Sequence, residues 1–283
     1  MLKRTIWFAL MAAALATGCR ATGQTITQDF AAPLPDAIPA PVVLDIATGT
    51  LNLTPVDAGG IAGKVTTNVE DWTVAVSTDA SGALRITQGR ARNQVIPNAA
   101  NQWDVTLSRE KPVNLTINAA AAGGTLDLTG LALPQLVING GTGSFALHYG
   151  APAPVAGATI AITQAGGDVT ATGLLNGGLS LIESTATAGT QTFEFTGVSF
   201  TENLRATITT TAASVVLRIP ARVPTRVVFN TTTGTVRDMP GTFTRVTQNT
   251  FENAEYADAD QPRLLIEIQT VTGGLRVFEL GGL

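Results

Sequence analysis

The sequence predicts an all-β fold built as a stack of coils, a β-solenoid, with essentially no helix after an N-terminal leader. Three observations predict it. Apolar residues recur with period 2 in short runs, as in Val113-Leu115-Ile117, Ile160-Ile162 and Leu264-Ile266-Ile268. No window carries an apolar stripe with a period of 3.6 residues. Strand–turn–strand units also return at a near-constant spacing, the mark of a repeat architecture. A β-sandwich of plain hairpins is the alternative.

Taken in order, the chain opens with Lys3 and Arg4 before an apolar stretch from Ile6 to Ala16. That stretch is too short to span a bilayer and has the form of a secretory signal, so residues 1–18 read as a signal peptide. The run Leu15-Ala16-Thr17-Gly18-Cys19 resembles a lipobox, with Ala16 where Leu is usual. Cys19 is the single cysteine of the chain and is the expected lipidation site. Residues 19–41 follow as a lipidated Cys and a Pro-rich spacer, with Pro33, Pro35, Pro39 and Pro41 favouring a semi-extended chain.

The repetitive β domain is expected over 42–283, with a sub-boundary near 112. Its units include 115–130, 136–150, 159–173, 181–197, 204–220, 226–241 and 264–280. The small residues before each second strand are Gly124, Gly143, Gly167, Gly189, Ala213, Gly234 and Gly274. Their spacings are 19, 24, 22, 24 and 21, and then 40, which marks an insertion. Stacked coils explain the pattern because one coil cannot bury its own apolar face. The turns are longer and more varied than the two-residue turns that hairpins prefer, which argues against the sandwich.

These residues resemble the bacterial toast-rack or LiaF-like domains, which are related to candidate adhesins of stacked β-coils. The resemblance is carried by VVLDIATGTLNLTP at 42–55, VEDWTVAVSTDASGALRITQG at 69–89 and the run from Trp103 to Leu107. It continues through 113–152 and the closing stretch 250–280. It implies a stacked fold and an envelope role. Family members often carry transmembrane helices and are implicated in envelope-stress sensing; this sequence has a lipid-type signal in their place. The family brings no catalytic residues.

Composition excludes several functions. Charged residues make up 13% of the chain, against roughly 25% in average domains, and the net charge is −4. Nucleic acid is therefore not an expected partner. His148 is the only histidine and no second cysteine exists, so Ser-His-Asp, Cys-His and His-rich metal sites have at most one imidazole available, and His148 is expected to be an ordinary strand-end side chain. Asp127 and Asp168 sit beside Gly-rich turns, where corner hydrogen bonding is the expected role. The strings GGTGS at 140–144 and AGGDVTATG at 165–173 lack the Lys and the following helix of a phosphate loop. No enzyme, metal or cofactor is expected.

Charge is nonetheless sorted along the chain. Residues 113–204 hold five acids and no Lys or Arg. Residues 205–245 carry six arginines against Asp238, and residues 246–283 carry six acids against two arginines. Arg205, Arg218, Arg222 and Arg226 are therefore candidates for binding polyanions, although a solvated face paired with the acidic insertion is the plainer expectation. Trp72, Trp103 and Tyr256 are candidates for stacking on sugars, with a place under a loop or at a coil end as the plainer one. The function expected is a non-catalytic, exported, lipid-anchored structural or protein-interaction module. The alternative is a surface adhesin for glycans or anionic envelope polymers. The expected partners are the membrane, through lipid on Cys19, and an unidentified envelope protein or polymer.

Overall fold

The computed structural model describes residues 23–89, 96, 98–257 and 260–281. The expected signal peptide, Cys19 and Asp258 lie outside these residues. Among them the chain is all-β and open rather than closed into a barrel, with a short 3-10 turn at Leu174–Asn176 and another at Ala254–Ala257.

Local alternation explains how a coil forms. After β1 (Ile26–Ala32), the long strand β2 (Ala40–Val56) buries Val42, Leu44 and Ile46, then Leu51 and Leu53. The inward set changes from even to odd numbers across Ala47–Gly49, because the chain turns a corner there and Gly49 takes a φ of +116°. One strand thus serves two faces with a core between them. The strand β7 (Val113–Asp127) does the same, burying Leu115 and Ile117 before its corner and Leu126 after it. The two strands pair in parallel register over nearly their whole length, and the apolar core runs unbroken past residue 112.

Later coils break at the corner into two strands. They are β8 (Gln135–Gly140) with β9 (Phe145–His148), β10 (Ala158–Gln164) with β11 (Val169–Thr172), and β12 (Leu179–Ala186) with β13 (Thr190–Glu194). Then come β14 (Leu204–Thr210) with β15 (Ser214–Pro220), and β16 (Thr225–Thr231) with β17 (Thr235–Asp238). Coil meets coil in parallel on both faces, so inward residues form ladders. One runs Leu44, Ile117, Ile138, Ile162, Ser184, Ile208, Ile268 and Phe229. Facing it, another runs Leu53, Leu126, Leu147, Ala171, Phe193, Leu217 and Val277. Where the first ladder carries Ser184, its hydroxyl bonds to buried Gln191 across the coil at 3.0 Å. Parallel pairing of successive units is what a stack requires and a hairpin sandwich lacks.

Stacking does not follow chain order at the far end. The last unit, β20 (Leu264–Thr270) with β21 (Gly274–Leu280), lies between the β14–β15 coil and the β16–β17 coil. The expected insertion is a hairpin, β18 (Phe243–Arg245) with β19 (Thr250–Asn253), whose second strand pairs antiparallel with β16 and extends that face.

The opposite end is a cap. On one face β5 (Leu84–Gln88) pairs with β2, and β4 (Val74–Thr78) pairs with β5. On the other, β6 (Asn101–Ser108) pairs with β2, then β3 (Ile61–Thr67) with β6 and β1 with β3. Gln28 of β1 links the two edges, donating to Trp72 O at 3.2 Å and accepting from Val74 N at 2.9 Å. The Pro-rich spacer expected over 19–41 is corrected here. Phe30 packs on Trp103 with ring centroids 6.1 Å apart, Leu34 is buried, and β2 begins at Ala40. An edge strand that buries one side chain shows no apolar period, so β1 left little trace in the sequence.

Candidate functional site

The corners come first, because they carry the glycines that the sequence singled out. A Cβ on Gly143 would stand 2.1 Å from Ala122 O, one on Gly189 2.0 Å from Gly167 O, and one on Gly234 2.0 Å from Gly273 O. These glycines let the corner of one coil rest on the carbonyl of the next, which is a packing role. Asp168 accepts from Thr190 N of the next coil at 2.7 Å, and Asp127 accepts from Thr129 N at 3.0 Å. His148 is exposed and its Nδ1 lies 2.9 Å from Thr172 Oγ1. The described residues contain no group of three or more His, Cys, Asp or Glu placed to hold a metal ion, and no helix long and apolar enough to cross a membrane.

The arginines are distributed among neighbouring coils. Arg205 Nη2 lies 2.6 Å from Glu267, and Arg226 Nη2 lies 2.5 Å from Glu252. Arg226 also sits over the Tyr256 ring at 4.4 Å, with Arg263 at 5.1 Å from the same ring. Arg218 Nη1 reaches Glu194 at 3.7 Å. Arg222, by contrast, is exposed and makes no ion pair or hydrogen bond with the described residues. Three of the four are thus paired with acids, and Arg205 and Arg226 flank Leu265 on one outer face. Trp72 and Trp103 are both fully buried, which removes them as sugar platforms; Tyr256 is engaged by two guanidinium groups.

Two concave surfaces stand out among the described residues. A groove of about 580 Å³ opens at the corner opposite the glycine ladder. It runs between the segment after β13 and the turn from β15 to β16, with Leu175, Val223 and Pro224 buried along it. Each wall is held by one buried asparagine. Asn176 accepts from Val198 N at 2.9 Å and donates to Tyr149 O at 3.0 Å. Asn253, brought by the inserted hairpin, accepts from Thr225 N at 2.9 Å and donates to Val223 O at 2.8 Å. Val198 is consequently held on the rim with 80% of its surface exposed. Of its lining the sequence singled out only Arg222, since most of the other residues come from corners or strand ends outside the alternating runs.

The second concavity, about 620 Å³, lies on the outer surface beside the cap. A hydrogen-bonded row crosses it. Arg85 pairs with Asp45 at 2.9 Å, Asn118 donates to Asp45 at 2.6 Å, and Asn139 donates to Asn118 at 2.8 Å.

Residues 20–153 match the family model for the N-terminal domain of toast_rack, DUF2154. This part of the chain is a toast-rack domain. The toast-rack segment takes in the cap and the coils through β9, and the remaining coils continue its ladders without a break. Among solved structures, a candidate cell adhesion protein from Clostridium sporogenes ATCC 15579 is similar at 13% identity and a TM-score of 0.47, covering 91% of this chain and 100% of that one. A candidate adhesin from Bacteroides fragilis NCTC 9343 is similar at 11% identity and a TM-score of 0.44, covering 90% and 97%. A candidate lipid-binding protein from Parabacteroides distasonis ATCC 8503 is similar at 10% identity and a TM-score of 0.34, covering 91% and 97%. The curated proteins contain no match.

Proposed function

We propose that this chain is a non-catalytic, exported envelope protein, anchored through lipid on Cys19, that acts as a structural or protein-interaction module. The observation that carries the reading is the position of Gly23, whose N–H bonds to Asn68 O at 2.8 Å at the cap. From Cys19 to Gly23 a chain reaches about 14 Å at most. An acylated Cys19 would therefore hold the cap close to the bilayer. The stack behind it rises on the order of 30 Å from β2 to the terminal coil. Such a body is a stiff projection that displays its far-end corners and edges. Acyl chains contribute about 0.8 kcal/mol per buried methylene, enough to fix it there. Replacing Cys19 by Ser tests this by fractionation: release of the protein from membranes is expected, and unchanged membrane association would contradict the anchor.

The adhesin reading is favoured by one feature, the Asp45–Asn118–Asn139 row in its open concavity, which offers the amide and carboxylate groups that sugar hydroxyls bond. If the row binds glycans, Asn118→Ala with Asn139→Ala should abolish retention on immobilised envelope glycans. Equal retention of the double variant would remove that reading.

A further inference from the structure

We infer that the groove between Val198 and Arg222 binds a single-chain amphiphile with an anionic head, of the fatty-acid class. Its apolar length is supplied by Leu175, Val198, Phe200, Val223, Pro224 and Pro262. Both walls are fixed before any ligand arrives, since Asn176 and Asn253 are only 8% and 6% exposed and spend their amides on the wall backbone. A preformed wall loses little entropy on binding. The volume of about 580 Å³ is that of a small-molecule site.

The chemistry of the walls selects the ligand's body. Val198 N and Thr225 N already donate to the two asparagines, and Val223 N donates to Pro220 O at 3.0 Å. Ala221 N donates to Leu280 O, while Ala221 O and Val223 O accept from Asn253. Pro220, Pro224 and Pro262 have no N–H to offer. A peptide strand laid here would find few backbone partners and would leave its own groups unpaired. An alkyl chain requires none.

The chemistry of the rim selects the head. Two charged side chains line the groove, Glu194 and Arg222. Glu194 faces Arg218 at 3.7 Å and accepts from Thr196 Oγ1 at 3.2 Å. Arg222 has no acid and no hydrogen-bond partner among the described residues. Its guanidinium presents a planar fork suited to a carboxylate.

The test uses the exported chain carrying Cys19→Ser, so that neither covalent lipid nor detergent is present. Titration calorimetry with dodecanoate should show one bound molecule per chain. Arg222→Glu and the substitution of neutral dodecanol for dodecanoate should each weaken binding by about tenfold or more, the size of one charge-assisted contact. Val198→Asp should abolish it while leaving the thermal unfolding midpoint within a few degrees. The inference is overturned by absence of dodecanoate binding to the folded protein, or by equal affinity of Arg222→Glu. It is also overturned if phosphatidylglycerol vesicles bind with the same dependence on Arg222 while free dodecanoate does not, because the groove then docks on a membrane surface.

Discussion

Arg205 and Glu267, 62 residues apart in sequence, lie 2.6 Å apart on the outer surface. They meet because the last coil, β20–β21, is seated between two arginine-bearing coils. The acidic C-terminal segment thereby enters the basic band of 205–245. Exposed pairs of this kind contribute about 0–1 kcal/mol to stability. Their larger effect is on surface potential, which falls where the arginines would otherwise stand together.

Weak retention on a polyanion follows from that pairing. The wild-type protein should leave a heparin column at low salt. Glu252→Gln combined with Glu267→Gln frees Arg226 and Arg205 and should raise the salt needed for elution. Strong, salt-sensitive retention of the wild type, lost on charge reversal at Arg218 and Arg222, would instead restore a basic binding surface.

The inserted coil should also be a keystone for stability. Ile268 is fully buried between Ile208 and Phe229. Ile268→Ala should cost about 2–5 kcal/mol in urea unfolding. Val76→Ala, on the exposed edge strand β4, should lie within about 0.5 kcal/mol of wild type. Equal costs at the two positions would show that the far-end coils do not share the core.

Corner glycines differ sharply in what surrounds them. Gly143→Ala places a Cβ 2.1 Å from Ala122 O, where backbone must move, and should destabilise by about 1–3 kcal/mol. Gly166 has nothing within 4 Å of the same position, so Gly166→Ala should be neutral or slightly stabilising. Thermal melts of the two variants compare them directly.

Acid should reach the β4–β5 turn late. Asp79 accepts from Ser81 Oγ at 2.5 Å, Ser81 N at 2.8 Å, Ala83 N at 3.1 Å and Arg85 Nε at 3.1 Å. These bonds, the Ser81 hydroxyl foremost, lower its pKa from 3.8 to about 2. A depressed carboxylate pKa contributes stability that is complete above pH 3.8 and is lost as pH falls through about 2. Amide-exchange protection of the turn should hold down to pH 4 and fade below it. Asp79→Asn should lack that dependence, and fading that starts above pH 5 would contradict the assignment.

Much of the architecture was legible in sequence for a simple reason. Inward positions of parallel coils must be apolar every second residue, and corners that touch must be small, so Ile160-Ile162 and Gly143-Gly167-Gly189 announce themselves. Coil order was not legible. Leu264-Ile266-Ile268 and Val227-Phe229 fit the same ladder equally well, and nothing local says which sits outermost. The groove was hidden for a related reason. Asn176 and Asn253 shape the groove through bonds to backbone 22 and 28 residues away, which leave no periodic trace. Arg222 stood out by charge, and only its lack of a partner in space separates it from Arg205, Arg218 and Arg226.

The out-of-order coil is the feature that brings Glu267 to Arg205, and cross-linking tests it most directly. In a Cys19→Ser background, paired cysteines at Thr207 and Glu267, or at Val228 and Glu267, occupy neighbouring positions on adjacent parallel strands. Both pairs should form intramolecular disulfides in the folded protein, while a Thr207 and Val228 pair, with β20 between its members, should not. Efficient closure of the Thr207–Val228 pair, without closure of the other two, would place the coils in chain order and contradict the account.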